Sequence, residues 1–322
     1  MMRAARFEGG GRIVVERCAE PAAGPGEVVL RVRACALCGS DLRPLRQGWP
    51  VTPGHEIMGV VQAPGHRLHG RRALVFIPAF CGECRECRSG NPQLCATAGL
   101  VGWQRPGGYA EALAVPERCL LEVPDDIEDV LAPLLLDTIG TAAHGVRQAL
   151  RVVAPGPALV MGAGPIGLGA LLVLGGMGFG PISVVEPGAY RAGVAASFGA
   201  TVLSAEAAGA QHFPLVVEAA GKDAARQLAL EAVAPRGALV QLGESDAWSI
   251  RETKAIRRKD FFLIRSFYFP PAEFAANCDL LRACRADYRR LVDEEAGLDG
   301  LEALFAAFAR GERLKPLMRI GD

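Results

Sequence analysis

Ala158-Leu159-Val160-Met161-Gly162-Ala163-Gly164-Pro165-Ile166-Gly167 runs from four apolar residues into a glycine turn, and an apolar helical stretch follows. A short apolar run closed by glycine suits a strand buried on both faces. The turn reads G-x-G-x-x-G between a strand and a helix, the context this motif requires. Gly162 allows the tight turn, Gly164 lets backbone approach a pyrophosphate, and Gly167 lets helix and strand pack closely. Phosphates sit at such a helix N-terminus, where unpaired N–H groups and the dipole favour negative charge. Alone the pattern is weak, because any tight strand–helix turn can use it. Glu186 strengthens it. This residue ends the next strand pattern, 19 residues after Gly167, where an acid hydrogen-bonds a ribose 2′-hydroxyl. The alternative is a polar residue that merely ends a strand. Pro187 and Gly188 follow, so no arginine stands beside Glu186 to hold a 2′-phosphate. That favours NAD over NADP.

Outward from this turn the pattern repeats. Residues 182–186, 215–219 and 238–243 are apolar runs, and 166–174, 189–198 and 224–233 are helical stretches between them. The alternation is that of a parallel sheet covered by helices on both faces. After about Pro270 the pattern is helical, closing in a short strand within 314–320. The first 145 residues differ. Residues 28–34 partly alternate, and 57–62, 73–77, 109–115 and 120–123 are further strand candidates, punctuated by Pro25-Gly26, Pro53-Gly54, Pro64-Gly65 and Pro106-Gly107-Gly108. Many short strands with such turns read as a small barrel-like β domain.

Composition narrows the function. The 322 residues fit two domains, and half are hydrophobic, enough for a large core. Lys+Arg and Asp+Glu both total 35, for zero net charge. That excludes a nucleic-acid footprint. The first fifteen residues hold arginines but no continuous apolar stretch, so no signal peptide is read there. Residues 158–185 carry no charge, but eight glycines and two prolines disfavour a membrane helix. Ten cysteines without a leader fit a reducing, cytoplasmic setting and metal ligation better than disulfides.

Four of those cysteines lie close together, in Cys81-Gly82-Glu83-Cys84-Arg85-Glu86-Cys87 and, after seven residues, Cys95. Four thiolates can close a tetrahedral shell around one Zn²⁺ and leave no open position. The iron–sulfur pattern of bacterial ferredoxins begins alike, but its fourth cysteine follows after three residues and precedes proline; here Ala96 follows Cys95. A second, mixed set lies upstream: Cys38 in Cys38-Gly39-Ser40-Asp41, and His55-Glu56 after Gly54. Mixed Cys and His ligands suit an open, catalytic zinc. Each is weak alone, since a lone Cys is usually a small buried hydrophobe.

Taken in order, Cys38-Gly39-Ser40-Asp41, Gly54-His55-Glu56, the four-cysteine lobe, Gly107-Gly108-Tyr109-Ala110-Glu111, the glycine turn at 162–167 and Leu314-Lys315-Pro316-Leu317 resemble the zinc-dependent medium-chain alcohol and polyol dehydrogenases over nearly the whole chain. The resemblance implies an α/β fold. A GroES-like, β-rich catalytic domain would occupy 1–145, with a structural-zinc lobe at about 79–96. A Rossmann doubly wound parallel sheet binding NAD would occupy 146–270, and 271–322 would return to the catalytic domain.

The resemblance also implies two zinc ions per subunit. Cys38, His55 and Asp137 would hold the catalytic one, with Glu56 a ligand or just behind; Cys81, Cys84, Cys87 and Cys95 would hold the structural one. Asp137 in Leu134-Leu135-Leu136-Asp137 has the alternative of a helix N-cap. The expected cofactor contacts are Gly162, Gly164, Pro165, Ile166, Gly167, Glu186, Arg191, Thr141, Gly243 and Phe267. Zinc would lower the pKa of an alcohol, Ser40 would relay its proton, and hydride would pass to the nicotinamide. Apart from the resemblance, Arg43, five residues beyond Cys38, should lie near the metal and nicotinamide and bind an anionic or heavily hydroxylated substrate, the alternative being a solvent-facing arginine or one that pairs with the cofactor pyrophosphate; Trp49 would also face the substrate. The expected substrate is a polar secondary alcohol or ketone, such as a polyol, cyclitol or sugar derivative. The expected partners are small molecules, not nucleic acid or membrane, and the expected assembly is a homo-dimer or tetramer. Two other readings stay open: a zinc-independent reductase of the same fold with a repurposed metal site, and a non-enzymatic zinc-scaffolded binding protein. The chain departs from the family pattern at Arg43, where many members have His, at Tyr268 in Ser266-Phe267-Tyr268-Phe269, where polyol dehydrogenases often have Arg, and in Gly70-Arg71-Arg72-Ala73.

Overall fold

The computed structural model describes residues 1–321 other than 246 and 252, without the side chain at 255; position 322, the last of the expected C-terminal segment, lies outside. The chain divides into two compact units. One comprises Met1–Leu136, Pro270–Phe274 and the chain from Arg289; the other comprises Asp137–Phe269 and Ala275–Tyr288. These joins differ from the expected 145/146 and 270/271. The helix Ala142–Ala149 spans the expected join and packs on the helix Pro165–Gly176 and the strand Val233–Gln241, so it belongs to the second unit. Residues 275–288 also belong there. A Cβ at Gly176 would come within 2.9 Å of Leu280, so the glycine makes room for that side chain.

In the second unit six strands lie in the order Thr201–Val202, Ile182–Val185, Ala158–Met161, Phe213–Glu218, Val233–Gln241 and Phe262–Arg265, every pair parallel. Chain order reverses at Ala158–Met161. Sheets of this kind take ligands beyond the C-terminal strand ends at that reversal, and there Met161 runs into Gly162. All four residues of Ala158–Met161 are buried, which is why the sequence pattern is continuous there rather than alternating.

In the first unit a mainly antiparallel sheet runs Glu295–Ala296, Leu317–Arg319, Glu27–Ala36, Glu56–Gln62, Arg72–Val75 and Leu120–Glu122, with Ala112–Pro116 also paired to Glu27–Ala36. Val28, Leu30 and Val32 face its core, as the alternation requires. The pairing of Glu27–Ala36 with Glu56–Gln62 slips between Val32 and Ala34. Such a bulge bends a strand, here just before Cys38. The rings of Phe7, Tyr109 and Phe305 meet at centroid distances of 5.3 to 5.8 Å in the core. Each such pair adds about 0.5–1.5 kcal/mol beyond area burial. Among the described residues no helix is long and apolar enough to cross a membrane.

Candidate metal and nucleotide sites

Strand pairing brings Cys38 and His55 together. Ala36, at the end of one strand, pairs with Glu56, at the start of the next. Cys38 lies two residues past the first and His55 one residue before the second, and both are buried. Gly54 permits the approach. Its φ is +95°, and a Cβ there would press on Cys35 and the Tyr109 ring, so only glycine suits the position. Ser40 lies half-buried in the turn Gly39–Asp41.

Asp41 organises this corner, although it is only 1% exposed. One of its oxygens accepts from the Cys38 N–H at 3.1 Å and from the Tyr109 hydroxyl at 2.7 Å. The other stands 3.3 Å from His55 Nδ1. That is ion-pair reach but outside hydrogen-bond geometry; a carboxylate that closes on Nδ1 would leave Nε2 for a metal. Burial, with Asp41 adding to it, pushes the Tyr109 phenol well above its usual range, so it stays a donor. Glu56 is held from the other side by the Lys315 ammonium, in a fully buried pair. Lys315 is set in turn by its own N–H, which donates to the Leu291 carbonyl at 3.1 Å and to Asp293 at 3.3 Å.

The short helical turn Ala132–Leu135 packs on the strands Glu27–Ala36 and Glu56–Gln62. Two residues further the chain reaches Asp137. One ligand atom each from Cys38, His55, Glu56 and Asp137 lies within 4.8 Å of the others, near the span that two metal–ligand bonds of about 2.0–2.3 Å can bridge. Thiol, imidazole and carboxylate together fit zinc. Asp137 opens a π-helical turn, Asp137–Thr141, in which the Thr141 hydroxyl donates to Asp137 Oδ1 at 2.6 Å. Turns of this wider kind recur at functional sites.

The four cysteines converge independently. Sulfurs about 2.3 Å from a tetrahedral zinc stand about 3.8 Å apart; here Cys84–Cys87, Cys81–Cys95 and Cys81–Cys87 are 3.4, 3.6 and 3.9 Å apart. The Thr97 hydroxyl lowers the Cys95 thiol to about 6, and backbone N–H groups of Glu83 and Cys84 lower Cys81. Both shifts favour the thiolates zinc needs, whereas burial and the Cys84 thiol push Cys87 up to about 12 in the metal-free cluster.

At the glycine turn Gly162 has φ +92°, and a Cβ at Gly167 would collide with the Gly162 carbonyl. Gly164, at the helix N-cap before Pro165 and Ile166, faces open space. That is the cradle a pyrophosphate needs. Glu186 accepts from the N–H groups of Ala163 and Gly188, both at 2.8 Å, so the expected ribose ligand also braces the turn. Arg191, on the helix Ala189–Ser197, has a buried Nε without a hydrogen-bond partner. Gly243 donates to the Glu218 carbonyl at 2.9 Å. The Glu218 carboxylate, pushed up by burial, accepts from Ala220 and Gly221 and lies 3.6 Å from the Arg226 Nε. Phe267 is 39% exposed, its ring 4.5 Å from that of Tyr268.

Residues 24–125 match the family model described as "Alcohol dehydrogenase GroES-like domain". Alcohol dehydrogenase TADH from Thermus sp. ATN1 shares the fold with a TM-score of 0.91, at 28% identity, over 99% of this chain and 100% of that one. In its GroES-like domain and in its fold the chain resembles the medium-chain alcohol dehydrogenases. A thermostable alcohol dehydrogenase from Pyrobaculum aerophilum gives a TM-score of 0.87 at 25% identity, covering 99% of each chain. The L-threonine 3-dehydrogenase of Anaeromyxobacter sp. (strain Fw109-5) is 36% identical over 199 residues, 56% of this chain and 55% of that protein. The L-threonine 3-dehydrogenase of Edwardsiella ictaluri (strain 93-146) is 32% identical over 224 residues, 66% and 64% respectively. The chain thus spans little more than half the length of the first relative and under two thirds of the second.

One cluster in the first unit stands apart from these donor sets. The Arg43 guanidinium lies over the Trp49 and Trp103 rings, 5.8 and 5.3 Å from their centroids. Nothing in the sequence marks Trp103. It lies 54 residues from Trp49, and only the fold shows that the Trp49 Nε1–H donates to its carbonyl at 2.9 Å.

Proposed function

We propose that the chain is a zinc-dependent oxidoreductase that passes hydride between NAD(H) and a polar secondary alcohol or ketone. The observation that carries this reading is the convergence of mixed donors from Cys38, His55, Glu56 and Asp137. A zinc-independent reductase would not need them together. The glycine turn supports the nucleotide, and Glu186 favours NAD. L-threonine, named in two of the relatives, is itself a polar secondary alcohol, which supports the substrate class.

Zinc, when bound, supplies Lewis acidity that eases loss of the alcohol proton, and the nicotinamide supplies the hydride acceptor. The protein's own part is positioning. Asp41 stands behind the His55 ring, and its bond to the Cys38 N–H steadies the thiolate's backbone. Lys315 neutralises Glu56, so a carboxylate can sit buried at the site. Ser40, two residues past Cys38, takes the alcohol proton toward solvent. Cys81, Cys84, Cys87 and Cys95 hold a second zinc that does no chemistry.

The test is turnover. Zinc-loaded protein with NAD is offered L-threonine, sorbitol, inositol and simple secondary alcohols, and absorbance at the reduced-nicotinamide band is followed. Turnover of at least one polar alcohol, lost on zinc removal and regained on its return, is expected. Turnover that survives complete zinc removal would sink the zinc-dependent reading.

A further inference from the structure

We propose that Glu218 and Arg226 are positioning residues for the nicotinamide half of the dinucleotide. The proposal rests on the nucleotide reading above and assigns a part to a buried pair outside the glycine motif. Strand order supplies the first step. Ala158–Met161 stands at the reversal, with Ile182–Val185 and Thr201–Val202 to one side and Phe213–Glu218, Val233–Gln241 and Phe262–Arg265 to the other. A dinucleotide lies across such a reversal, one mononucleotide over each half of the sheet. Glu186 follows Ile182–Val185, and an acid there marks the adenosine side. The loops that leave Phe213–Glu218 and Val233–Gln241 therefore serve the other half, which carries the nicotinamide.

Glu218 and Arg226, both buried, tie those two loops together. One Glu218 carboxylate oxygen accepts from the N–H groups of Ala220 at 2.8 Å and Gly221 at 2.7 Å. The Glu218 carbonyl accepts from Leu242 at 2.8 Å and Gly243 at 2.9 Å. Arg226 reaches back from the helix Asp223–Ala232, donating from one nitrogen to the Gly221 carbonyl at 2.8 Å and from another to the Ala247 carbonyl at 2.7 Å. Where the loops touch, both are glycine. A Cβ at Gly221 would collide with the Glu244 carbonyl, and one at Gly243 with the Gly221 backbone. The first loop also meets the glycine turn: the Ala219 N–H donates to the Met161 carbonyl at 2.9 Å, and a Cβ at Gly162 would press on Ala220. One guanidinium thus fixes two loop backbones relative to the turn that would hold the pyrophosphate. The pair's mutual contact is looser than its contacts to backbone. Arg226 Nε stands 3.6 Å from the second Glu218 oxygen, outside hydrogen-bond reach. A buried ion pair adds little stability over apolar side chains of like volume. Apolar groups, however, could not bond the main chain of both loops.

The test compares NADH with ADP, which carries the adenosine half and both phosphates but no nicotinamide. Zinc-loaded protein is titrated with each by calorimetry, and the emission of bound NADH reads the surroundings of the nicotinamide ring. Arg226→Met is expected to weaken NADH about tenfold or more, the size of a lost charge-assisted contact, and to leave ADP affinity unchanged. That variant strands the Glu218 charge. Glu218→Gln with Arg226→Met removes both charges, so it should fold and should still bind NADH more weakly than wild type, with a shifted emission. Arg226→Lys, which keeps the charge and loses the fork, should fall between. A double variant that binds NADH as tightly as wild type overturns the proposal. So does one that loses NADH and ADP affinity alike, or one that fails to fold, because the pair is then a support of the whole unit. Wild-type protein that binds neither ADP nor NADH overturns the nucleotide reading and this proposal with it, whereas the other outcomes leave that reading standing.

Discussion

The Lys315 ammonium donates to the Glu56 carboxylate across 259 residues of sequence, and neither side chain has any exposed surface. Breaking a buried pair from one side strands a charge, at a cost of about 3–5 kcal/mol. Lys315→Met should therefore lower the urea midpoint sharply. Adding Glu56→Gln should restore most of the loss. If Lys315→Met alone unfolds at the wild-type midpoint, Glu56 is not a buried charge.

Asp41 should tune zinc affinity without touching zinc. It accepts from the Cys38 backbone and the Tyr109 hydroxyl, and its other oxygen stands 3.3 Å from His55 Nδ1. Loss of a carboxylate behind a ligating histidine weakens metal binding about ten- to a hundredfold. Asp41→Asn should show this in competition with a chelator of known affinity. An unchanged zinc affinity would remove Asp41 from the account.

Two separate donor sets predict two zinc ions per chain. Cys38→Ser should lose one ion and nearly all turnover while the fold persists. Cys84→Ser should instead loosen residues 79–96, seen as faster proteolysis there. Elemental analysis that finds at most one zinc in fully loaded wild type contradicts both.

Glu186 should repel a 2′-phosphate. The wild type should therefore prefer NAD, and Glu186→Ala with Pro187→Arg should narrow that preference. Because Glu186 also accepts from Ala163 and Gly188, the same variant should bind NAD itself less tightly. A wild type with the higher kcat/KM for NADP would refute the assignment.

Alkaline pH should expose two tyrosines late. Burial pushes both Tyr109 and Tyr288 upward, the first further raised by Asp41. A phenol raised in the folded state stabilises the fold fully below its unfolded pKa of about 10, and that stability drains away as pH climbs toward the folded value. Tyr109 and Tyr288 should ionise only with unfolding. Tyr109→Phe should flatten the alkaline loss of stability. Ionisation of Tyr109 near 10 in folded protein, read as the phenolate signal that Tyr109→Phe removes, would count against this picture.

The features legible in the sequence are those with short spacing. The glycine turn and the four-cysteine lobe each fit within about twenty residues, and strand or turn geometry alone joins their parts. The structure brings His55 to Cys38 as the motifs imply, through the pairing of Ala36 with Glu56. Asp41 was visible but carried no assigned role, although an acid three residues past a ligating cysteine is a readable signal. Lys315, Trp103 and the Glu218–Arg226 pair were not legible. Their partners depend on how strands and helices pack, and periodicity says which residues are buried, not against whom. The join near 145 missed for a related reason. The helix Ala142–Ala149 is amphipathic, and an apolar face does not name the sheet it covers.

The interleaved composition of the first unit has a consequence for its biogenesis. A ribosome delivers Glu27–Ala36 and Glu56–Gln62 early, then the entire parallel sheet, and only afterwards Leu317–Arg319, which covers the open edge of Glu27–Ala36 beside Ala36. Until Lys315 emerges, Glu56 has no ammonium to meet. The second unit can complete its sheet while the first still carries a bare strand edge and lacks the Lys315 partner of Glu56. Vectorial synthesis therefore makes the first unit the late-maturing one, and a polysome stalled before residue 315 should expose that unit to proteases while the middle of the chain resists them.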